Sequence, residues 1–299
     1  MDKITLQANG KVNLTLDIQG RRADGYHLLR SVMQSISLHD TVTLRRKPLG
    51  QGISLSCDQP FVPRDERNIC WQAARAFQQH LDLKDLSLDI ELLKTIPVGA
   101  GLGGGSTDAA AVLYGLNILY QTELSLTALQ KIGQTVGADV PFCLQGGTCL
   151  VEGIGEKVTS IDPFPALIMV LVKPNQSVST AEVYGKLDRG SYGGNSTARL
   201  LEYLAGKGDD SLSAILANAL ESVTLDLVPE VRLWQERLCQ AGAIVSRMSG
   251  SGPTVFGLFA TRREAEDFQA RFSGEAQVFV VTLMEQGVRV LETNGGDQL

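Results

Sequence analysis

The sequence of 299 residues has little cysteine, little histidine, no excess of basic charge and no long apolar stretch. Its five cysteines form no C-x-x-C pair, which argues against a disulfide framework and a zinc site and favours free thiols. The formal net charge of −6, without a basic stripe, argues against a nucleic-acid partner. The longest apolar run, residues 166–172, is too short to span a bilayer, and residues 1–10 lack the pattern of a signal peptide. We therefore expect a globular cytoplasmic protein without a membrane partner.

Glycine, in contrast, is concentrated in PVGAGLGGGSTDAAA at residues 97–111, where five of the seven positions 99–105 are glycine. Each glycine costs backbone entropy on folding, so this density favours a loop that approaches a ligand over a simple connection. Backbone N–H groups in such a turn, at the start of a helix, are suited to bind an anion, above all phosphate. We call residues 97–105 the glycine loop.

A helix is predicted to follow the glycine loop, over residues 106–120, with Ser106 or Thr107 as its cap. The partial positive charge at the start of a helix adds to the attraction for an anion. The loop has no lysine of its own, so a polyphosphate bound there would need Mg²⁺ and either Lys11 or Lys94.

Two other phosphate motifs fit the glycine loop poorly. The G-x-G-x-x-G spacing that begins at Gly99 is separated from the preceding strand by Pro97, and Glu123 leads into another helix, so a dinucleotide site is disfavoured. A P-loop would need lysine where Gly105 stands. A phosphate loop of another class is the favoured interpretation, and a nicotinamide-dependent oxidoreductase is a distant alternative.

The order of predicted elements favours an α+β fold. Three strands are predicted before the first helix, at residues 4–18, 31–38 and 40–46. This order argues against a strictly alternating parallel sheet. Turn-forming residues at 161–165 divide the chain, and we place two domains at residues 1–160 and 161–299. Residues 188–197 are typical of a mobile loop, and residues 295–299 are expected to fray.

Three polar side chains stand in stretches that have an ordinary structural interpretation and are also suited to catalysis. Lys11 and Asn13 point to the same side of the first predicted strand, where a lysine is usually a solvated edge charge. Asp139 precedes VPFCLQ, and we expect it to cap a short helix there. A carboxylate has two oxygens, so capping and catalysis are compatible roles for Asp139.

Three stretches, in this order, resemble the motifs of the GHMP kinases, named for galactokinase, homoserine kinase, mevalonate kinase and phosphomevalonate kinase. ANGKVNLTL at residues 8–16 is similar to the first motif, and residues 97–111 resemble P-x-G-x-G-L-G-S/G-S-S/T. RMSGSGPTVFGLF at residues 247–259 is similar to the third motif. The resemblance covers nearly the whole chain. It implies an N-terminal domain like ribosomal protein S5 domain 2, a ferredoxin-like C-terminal domain, and an active site in the cleft between them.

One branch of the family is similar over residues 22–40 in particular, where R-x-D-G-Y-H-x-L-x-S precedes L-x-D. This branch implies a transferase that uses ATP, with Mg²⁺, to phosphorylate a small molecule. The substrate group is the 2-hydroxyl of a cytidine diphosphate-linked methylerythritol, in the non-mevalonate route to isoprenoid precursors. Galactokinase and homoserine kinase do not share the Gly-Tyr-His element. The sequence leaves the oligomeric state open.

The resemblance also implies roles for particular residues. Asp139 carries over as the base that accepts the proton of the substrate hydroxyl, and Lys11 as its charged partner. ATP would be bound by Asn68, Lys94, Pro97, Gly99, Gly101, Leu102, Gly103, Gly104, Gly105, Ser106 and Thr107. The substrate would be bound by Asn13, Tyr26, His27, Thr180 and Tyr184. The rings of the two tyrosines would hold its cytosine.

The ligands of the metal ion and two alternative functions stay open. Many GHMP kinases hold Mg²⁺ with a helix glutamate, and residues 126–134 contain no match, so the protein ligands are unknown. Ser106 or Thr107 would be able to contribute one oxygen. The chain is also compatible with another GHMP small-molecule kinase, acting on homoserine or mevalonate, and with a non-catalytic nucleotide-binding homologue. The element at residues 25–27 argues against the first alternative, and the intact lysine and aspartate against the second.

Overall fold

The computed structural model of the protein describes residues 1–294, except the side chain of Arg189. The end predicted to fray, residues 295–299, lies outside the described residues. The strands are β1 (Lys3–Arg21), β2 (His27–Arg46), β3 (Ile53–Cys57), β4 (Leu88–Leu93), β5 (Thr148–Gly153), β6 (Lys157–Ser160), β7 (Ile168–Lys173), β8 (Val245–Met248), β9 (Val255–Phe259), β10 (Gln277–Val281), β11 (Leu283–Met284) and β12 (Val288–Asn294).

The helices follow sequence signals of two kinds, apolar spacing and capping side chains. They are α1 (Ile69–His80), α2 (Gly104–Leu119), α3 (Leu126–Val136), α4 (Val140–Gln145), α5 (Thr180–Gly185), α6 (Ser196–Leu204), α7 (Leu212–Ile215), α8 (Glu221–Leu227), α9 (Glu230–Gln240) and α10 (Arg262–Phe272), with a 3₁₀ turn at Arg189–Ser191. Asn68 caps α1 because its side-chain oxygen accepts from the backbone N–H of Cys70 at 2.8 Å. Ser125 caps α3 in the same way.

Two sheets confirm the predicted α+β class. The first has the order β12-β1-β2-β4-β3, with β5 and β11 also paired to β2 and β6 paired to β5. Its pairs are antiparallel except for β3 with β4. The second sheet has the order β10-β7-β9-β8 and is antiparallel throughout. The alternating parallel sheet that the element order argued against is therefore not the architecture of the described chain.

The prediction of two separate strands at residues 31–38 and 40–46 was wrong, because β2 runs unbroken through both. Each half of β2 has its own partner beside β1. Residues 29–34 pair with β5, and residues 41–46 pair with β4. Long-range pairing thus sustains a strand across a point where local sequence indicated a break.

A shared apolar cluster joins the two sheets. Val12 and Leu14 from β1 are buried in one cluster with Leu171 from β7 and Phe256 from β9. Leu102 of the glycine loop belongs to the same cluster and is only 1% exposed. The apolar side chain of the loop is therefore anchored in the core, which leaves the neighbouring backbone to face outwards.

The division after residue 160 stays a prediction. The first sheet takes its strands from both sides of that point, since β11 and β12 pair with β2 and β1. The chain thus returns to the first sheet after completing the second.

Residues 188–197, predicted to be a mobile loop, have several contacts with β1. The Gly193 N–H donates to the carbonyl of Ile18 at 2.9 Å. Asp17, only 3% exposed, accepts from the hydroxyl of Ser196 at 2.6 Å and from the N–H of Thr197 at 2.8 Å. A carboxylate on β1 therefore satisfies the free N–H groups at the start of α6, which the sequence pattern did not indicate.

Two expectations drawn from composition bear on the described residues. All five cysteines are free thiols, as predicted, and four of them are buried. No helix within residues 1–294 is both long and apolar enough to cross a membrane. The cytoplasmic location stays a prediction.

Candidate active site

A cavity of about 1010 Å³ opens beside the glycine loop. It is lined by the loop itself, by β1, by the turn before β2, and by the starts of α4 and α5. Gly250 and Ser251, from the turn between β8 and β9, complete the wall. The three stretches singled out in the sequence therefore meet at one cavity, although they are far apart along the chain.

The glycine loop takes a conformation that only glycine adopts readily. Gly101 and Gly103 have φ angles of 75° and 72°, in the left-handed region. A Cβ on Gly101 would lie 2.5 Å from the carbonyl oxygen of Ser249, and one on Gly103 would lie 2.8 Å from Cγ of Lys11. These close approaches, and not turn geometry alone, require glycine at both positions.

The helix after the loop begins earlier than predicted. Gly103 is the N-cap of α2, and the first helical residue is Gly104, so neither Ser106 nor Thr107 caps the helix. Gly103 has no side chain to satisfy the first N–H groups of this 16-residue helix. Those groups and the partial positive charge of the helix start are thus directed at the cavity, which is the arrangement that binds phosphate.

Lys11 and Asp139 form the charged centre of the cavity. Nζ of Lys11 lies 3.3 Å from a carboxylate oxygen of Asp139 and donates to the side-chain oxygen of Asn13 at 2.8 Å. The Lys11 side chain is 6% exposed and that of Asp139 is 30% exposed, so the carboxylate is the part that a ligand can reach. The expectation of a solvated edge lysine was wrong, because Lys11 is buried where the glycine loop lies against β1, with the Lys11 N–H bonded to the carbonyl of Leu102.

Asp139 stands at the N-cap position of α4, as predicted, but its side chain forms no capping hydrogen bond. The helix is instead started by backbone bonds, with the Cys143 N–H donating to the Asp139 carbonyl at 3.0 Å. The carboxylate is therefore left to the cavity, and the helix start holds it opposite Lys11.

Ser249 connects the first and third motifs through the glycine loop. Its hydroxyl accepts from the backbone N–H of Asn13 at 3.2 Å and donates to the carbonyl of Gly101 at 3.1 Å. The Lys11 N–H donates to the carbonyl of Leu102 at 2.9 Å. These three bonds fix the strand that carries Lys11 against the loop, so the lysine and the backbone of the glycine loop keep one relative position.

Lys94 is held by two buried carboxylates, those of Asp40 and Asp108. Burial acts to lower the pKa of Lys94, but the two carboxylates outweigh it and hold the pKa above its ordinary value. Burial raises the pKa of Asp108 well above its ordinary range, against the attraction of Lys94. Lys94 lines the cavity, yet its charge is already balanced within the protein, which argues against a strong contact with phosphate; its role as an ATP ligand stays a prediction.

Aromatic side chains gather around His27. The ring of Tyr184 lies 5.2 Å from the His27 ring, centroid to centroid, with 35° between the planes. The hydroxyl of Tyr192 lies 3.1 Å from Nε2 of His27. Burial, helped by the positive charge of Arg21, lowers the pKa of His27. Tyr26 is 61% exposed at the cavity mouth, so its ring is available to a ligand.

Comparison with known proteins identifies the family. Residues 68–147 match the model of the GHMP kinases N terminal domain, and residues 200–276 match that of the GHMP kinases C terminal domain. A Geobacter metallireducens protein is 45% identical over 284 residues, which is 95% of this chain and 99% of that one. A relative from Acetivibrio thermocellus is 43% identical over 89% of this chain and 93% of its own length. Both are named 4-diphosphocytidyl-2-C-methyl-D-erythritol kinase.

The chain belongs to the GHMP kinase family. It is a small-molecule kinase of the ATP-dependent kind that defines the family. A crystal structure of 4-(cytidine 5'-diphospho)-2C-methyl-D-erythritol kinase is similar with a TM-score of 0.79 and 31% identity, over 94% of this chain and 99% of that one. A homoserine kinase from Cytophaga hutchinsonii is similar with a TM-score of 0.78, but at 21% identity it shows the fold alone. The predicted two-domain GHMP kinase fold is confirmed.

In this GHMP kinase the cavity brings together all but one of the site residues that the sequence predicted. Those that line it are Lys11, Asn13, Tyr26, His27, Asn68, Lys94, Pro97, Gly99, Gly101, Leu102, Gly103, Gly104, Gly105, Ser106, Asp139, Thr180 and Tyr184. Their roles stay predictions. Both polar atoms of the Asn68 side chain already bond within the protein, to Cys70 and Pro63, which gives it a structural role as well.

Thr107 is the exception, and its prediction as an ATP ligand is corrected. It is fully buried, its hydroxyl donates to the carbonyl of Asn9 at 2.7 Å, and its N–H donates to the carbonyl of Gly103 at 2.9 Å. Because α2 begins at Gly104, the fourth helical residue has turned away from the cavity towards β1.

Sequence reasoning missed three residues of the site region. Ser249 lies inside the third motif, whose likeness to a second glycine loop was the one signal that pointed to it. Asp40 ends the segment 22–40 and was not given a role. Tyr192 lies in a stretch predicted to be a mobile loop, and no local pattern relates it to His27.

Proposed function

We propose that this GHMP kinase transfers the terminal phosphoryl group of ATP to the 2-hydroxyl of 4-diphosphocytidyl-2-C-methyl-D-erythritol. One observation carries the proposal: a phosphate-binding loop, a lysine–aspartate pair and an aromatic group that suits a base all line the same cavity. The curated relatives that bear this name are 43% and 45% identical over most of the chain. The product would enter the non-mevalonate route to isoprenoid precursors.

The glycine loop is suited to hold the phosphates of ATP. Its backbone approaches a ligand closely, because no side chain intervenes at positions 103–105, and α2 adds the field of its N-terminus. The bonds through Ser249 and Leu102 hold the loop in one position relative to Lys11. Phosphoryl transfer depends mainly on such positioning and on neutralising charge.

Asp139 is the residue suited to accept the proton of the attacking hydroxyl. Its carboxylate is reachable from the cavity and is not used in capping α4. Lys11, 3.3 Å away, would orient that carboxylate and the hydroxyl, and Asn13 holds the lysine in turn. The Lys11–Asp139 pair also argues against a non-catalytic nucleotide-binding protein, because such a protein would not need an acid–base centre.

Cytosine fits the aromatic group at the cavity mouth. The exposed ring of Tyr26 and the ring of Tyr184 offer faces for stacking, and His27 offers a ring nitrogen for a hydrogen bond. Burial raises the pKa of Tyr184, so its ring stays neutral at physiological pH. Thr180, whose hydroxyl lies 2.8 Å from that of Ser251, adds a polar contact beside Tyr184.

Mg²⁺ fits the cavity as a companion of the nucleotide. Within the described chain no group of three His, Cys, Asp or Glu side chains could hold a metal ion by itself. The Ser106 hydroxyl lines the cavity, whereas the Thr107 hydroxyl is buried, so Ser106 is the one of the two that could give an oxygen. Mg²⁺ readily keeps phosphate and water as its other ligands, and when bound it would neutralise phosphate charge.

The test is ADP release in a coupled assay with Mg-ATP and three acceptors, 4-diphosphocytidyl-2-C-methyl-D-erythritol, homoserine and mevalonate. ADP release with the cytidine compound alone supports the proposal. If that release is lost in an Asp139→Asn preparation made in parallel, it does not come from a contaminating kinase. Release with homoserine or mevalonate alone would show that this compound, and not the cytidine compound, is the substrate. ATP binding without ADP release in the presence of any of the three acceptors would reject the proposed function.

A further inference from the structure

The hydroxyl of Tyr192 has a position that the proposed reaction does not yet use. It lies 3.1 Å from Nε2 of His27, and the two rings meet edge to face, 5.9 Å apart at 84°. Tyr184 packs against the same imidazole from a different direction. His27 comes from the start of β2 and both tyrosines from the segment 184–192, so the half-buried imidazole is contacted by parts of the chain that are remote in sequence.

The backbone holds Tyr192 in place independently of its ring. Tyr192 forms a parallel bridge with Ile18 of β1, and the next N–H, that of Gly193, donates to the Ile18 carbonyl at 2.9 Å. His27 is fixed on the neighbouring strand, where it pairs with Arg21 of β1. Both ends of the hydrogen bond are thus attached to the same strand, which gives it little freedom to open.

We propose that Tyr192 is a positioning residue for base recognition, whose hydroxyl donates to Nε2 of His27 and so keeps the imidazole in the Nδ1–H tautomer and in one orientation. A phenol is a better hydrogen-bond donor than acceptor, because its lone pair is shared with the ring. A neutral imidazole has one donor and one acceptor nitrogen. If one nitrogen accepts a hydrogen bond, the other must carry the hydrogen and act as the donor. The lowered pKa of His27 is consistent with a neutral ring.

The inference deepens the proposed function and rests on it for the identity of the ligand. His27 lines the cavity, and among the described residues its Nδ1 makes no hydrogen bond. With Nε2 occupied, Nδ1–H is the group that remains for a ligand. Cytosine presents acceptors at N3 and O2, and a fixed N–H donor matches either of them. Tyr192 therefore acts through His27 and makes no contact of its own with the base.

The tautomer can be measured without any substrate. The chain has three histidines, so the imidazole nitrogens of the ¹⁵N-labelled protein are few, and a His27→Gln variant assigns those of His27. At a pH where the ring is neutral we expect Nδ1 to carry the hydrogen. In Tyr192→Phe, which keeps the ring and removes the hydroxyl, we expect a shift towards the Nε2–H tautomer that a free imidazole prefers. A wild-type Nε2–H form, or a spectrum unchanged by the substitution, would overturn the inference.

Kinetics give the second measurement. Loss of the orienting bond in Tyr192→Phe should raise KM for the cytidine substrate roughly threefold to tenfold, the range of one net hydrogen bond, and leave kcat and KM for ATP unchanged. Tyr203→Phe, on α6 and outside the cavity lining, is the matched control and should change nothing. An equal rise in both KM values would indicate a structural role and reject the inference. If the cytidine compound is no substrate, the proposed function fails, and the spectrum still decides the tautomer.

Discussion

Asp139→Asn removes the proposed proton acceptor and should change little else in the site. The Asp139 side chain caps nothing, and Lys11 keeps its bond to Asn13 at 2.8 Å when the charge opposite is lost. The carboxylate is partly exposed, so the free energy of unfolding should fall by about 1 kcal/mol or less. A positioned general base contributes about 10²- to 10⁴-fold to the rate, which raises the barrier by about 2.7 to 5.4 kcal/mol when it is removed.

The assay for Asp139→Asn is kcat from coupled ADP release, with ATP affinity from calorimetry and stability from urea unfolding. We expect a large fall in kcat with ATP binding and unfolding nearly unchanged. Asp267→Asn, on the exposed face of α10 and remote from the cavity lining, is the matched control. A kcat for Asp139→Asn within about tenfold of the wild-type value would refute the assignment, since positioning and charge neutralisation would then suffice without the carboxylate.

Three further substitutions test the loop, the buried charges and the cavity mouth. Gly101→Ala should cost about 1–3 kcal/mol of unfolding free energy and weaken ATP binding, because its Cβ would lie 2.5 Å from a backbone carbonyl oxygen. Gly206→Ala, with a similar φ of 69°, open space around its Cβ and a position outside the cavity lining, should leave ATP binding in place. Equal ATP affinities in the two variants would contradict this reading. The raised pKa of Asp108 means that this carboxyl binds a proton more tightly in the folded protein than in the unfolded chain, so its contribution to stability falls as the pH rises above about 3.9. Urea unfolding should therefore show the stability of Asp108→Asn rising relative to that of the wild type as the pH increases above about 4, and the opposite trend would mean a depressed pKa. Tyr26→Ala should raise KM for the cytidine substrate roughly fivefold to 150-fold, the value of one base–aromatic stack, with KM for ATP and the melting temperature unchanged because the ring is 61% exposed; a parallel rise in both KM values would point to misfolding instead.

The buried charges beneath the glycine loop fix the path of the chain as it enters the loop. Asp40 accepts from the backbone N–H groups of Thr95 and Ile96 at 2.6 and 2.8 Å, and it also pairs with Lys94. One carboxylate thus fixes the three residues that lead into the loop. A buried charge is costly unless it is paired and hydrogen-bonded, and here the bonds it requires are the ones that define the path of the chain.

Local pattern was sufficient for much of the architecture. Local signals predicted α2 within two residues of its observed bounds and the short helix α4 after Asp139, and the run of strands before the first helix predicted the α+β class. The glycine loop could be recognised because a dense glycine stretch at the start of a helix mainly serves to bring the backbone close to a ligand. The pairing of Lys11 with Asp139 was expected from the resemblance to the GHMP kinases, which implied that the two residues act together.

Tertiary structure decided the features that depend on a partner far along the chain. The unbroken β2 exists because β4 and β5 each complete one half of it. Thr107 faces away from the cavity because the N-cap of α2 is Gly103, three residues before Ser106, the first of the two predicted caps.

The sequence by itself determined which residue types would be present at the site and that its backbone would be suited to bind an anion. It did so because motif spacing, helix caps and glycine geometry act over a few residues. Only the tertiary structure decided that Lys94 is neutralised by Asp40 and Asp108, that Ser249 holds the loop to β1, and that Tyr192 faces His27. Hydrogen bonds and ion pairs between residues far apart in the chain form only where the fold brings their side chains together. Local sequence does not specify which distant residues become neighbours.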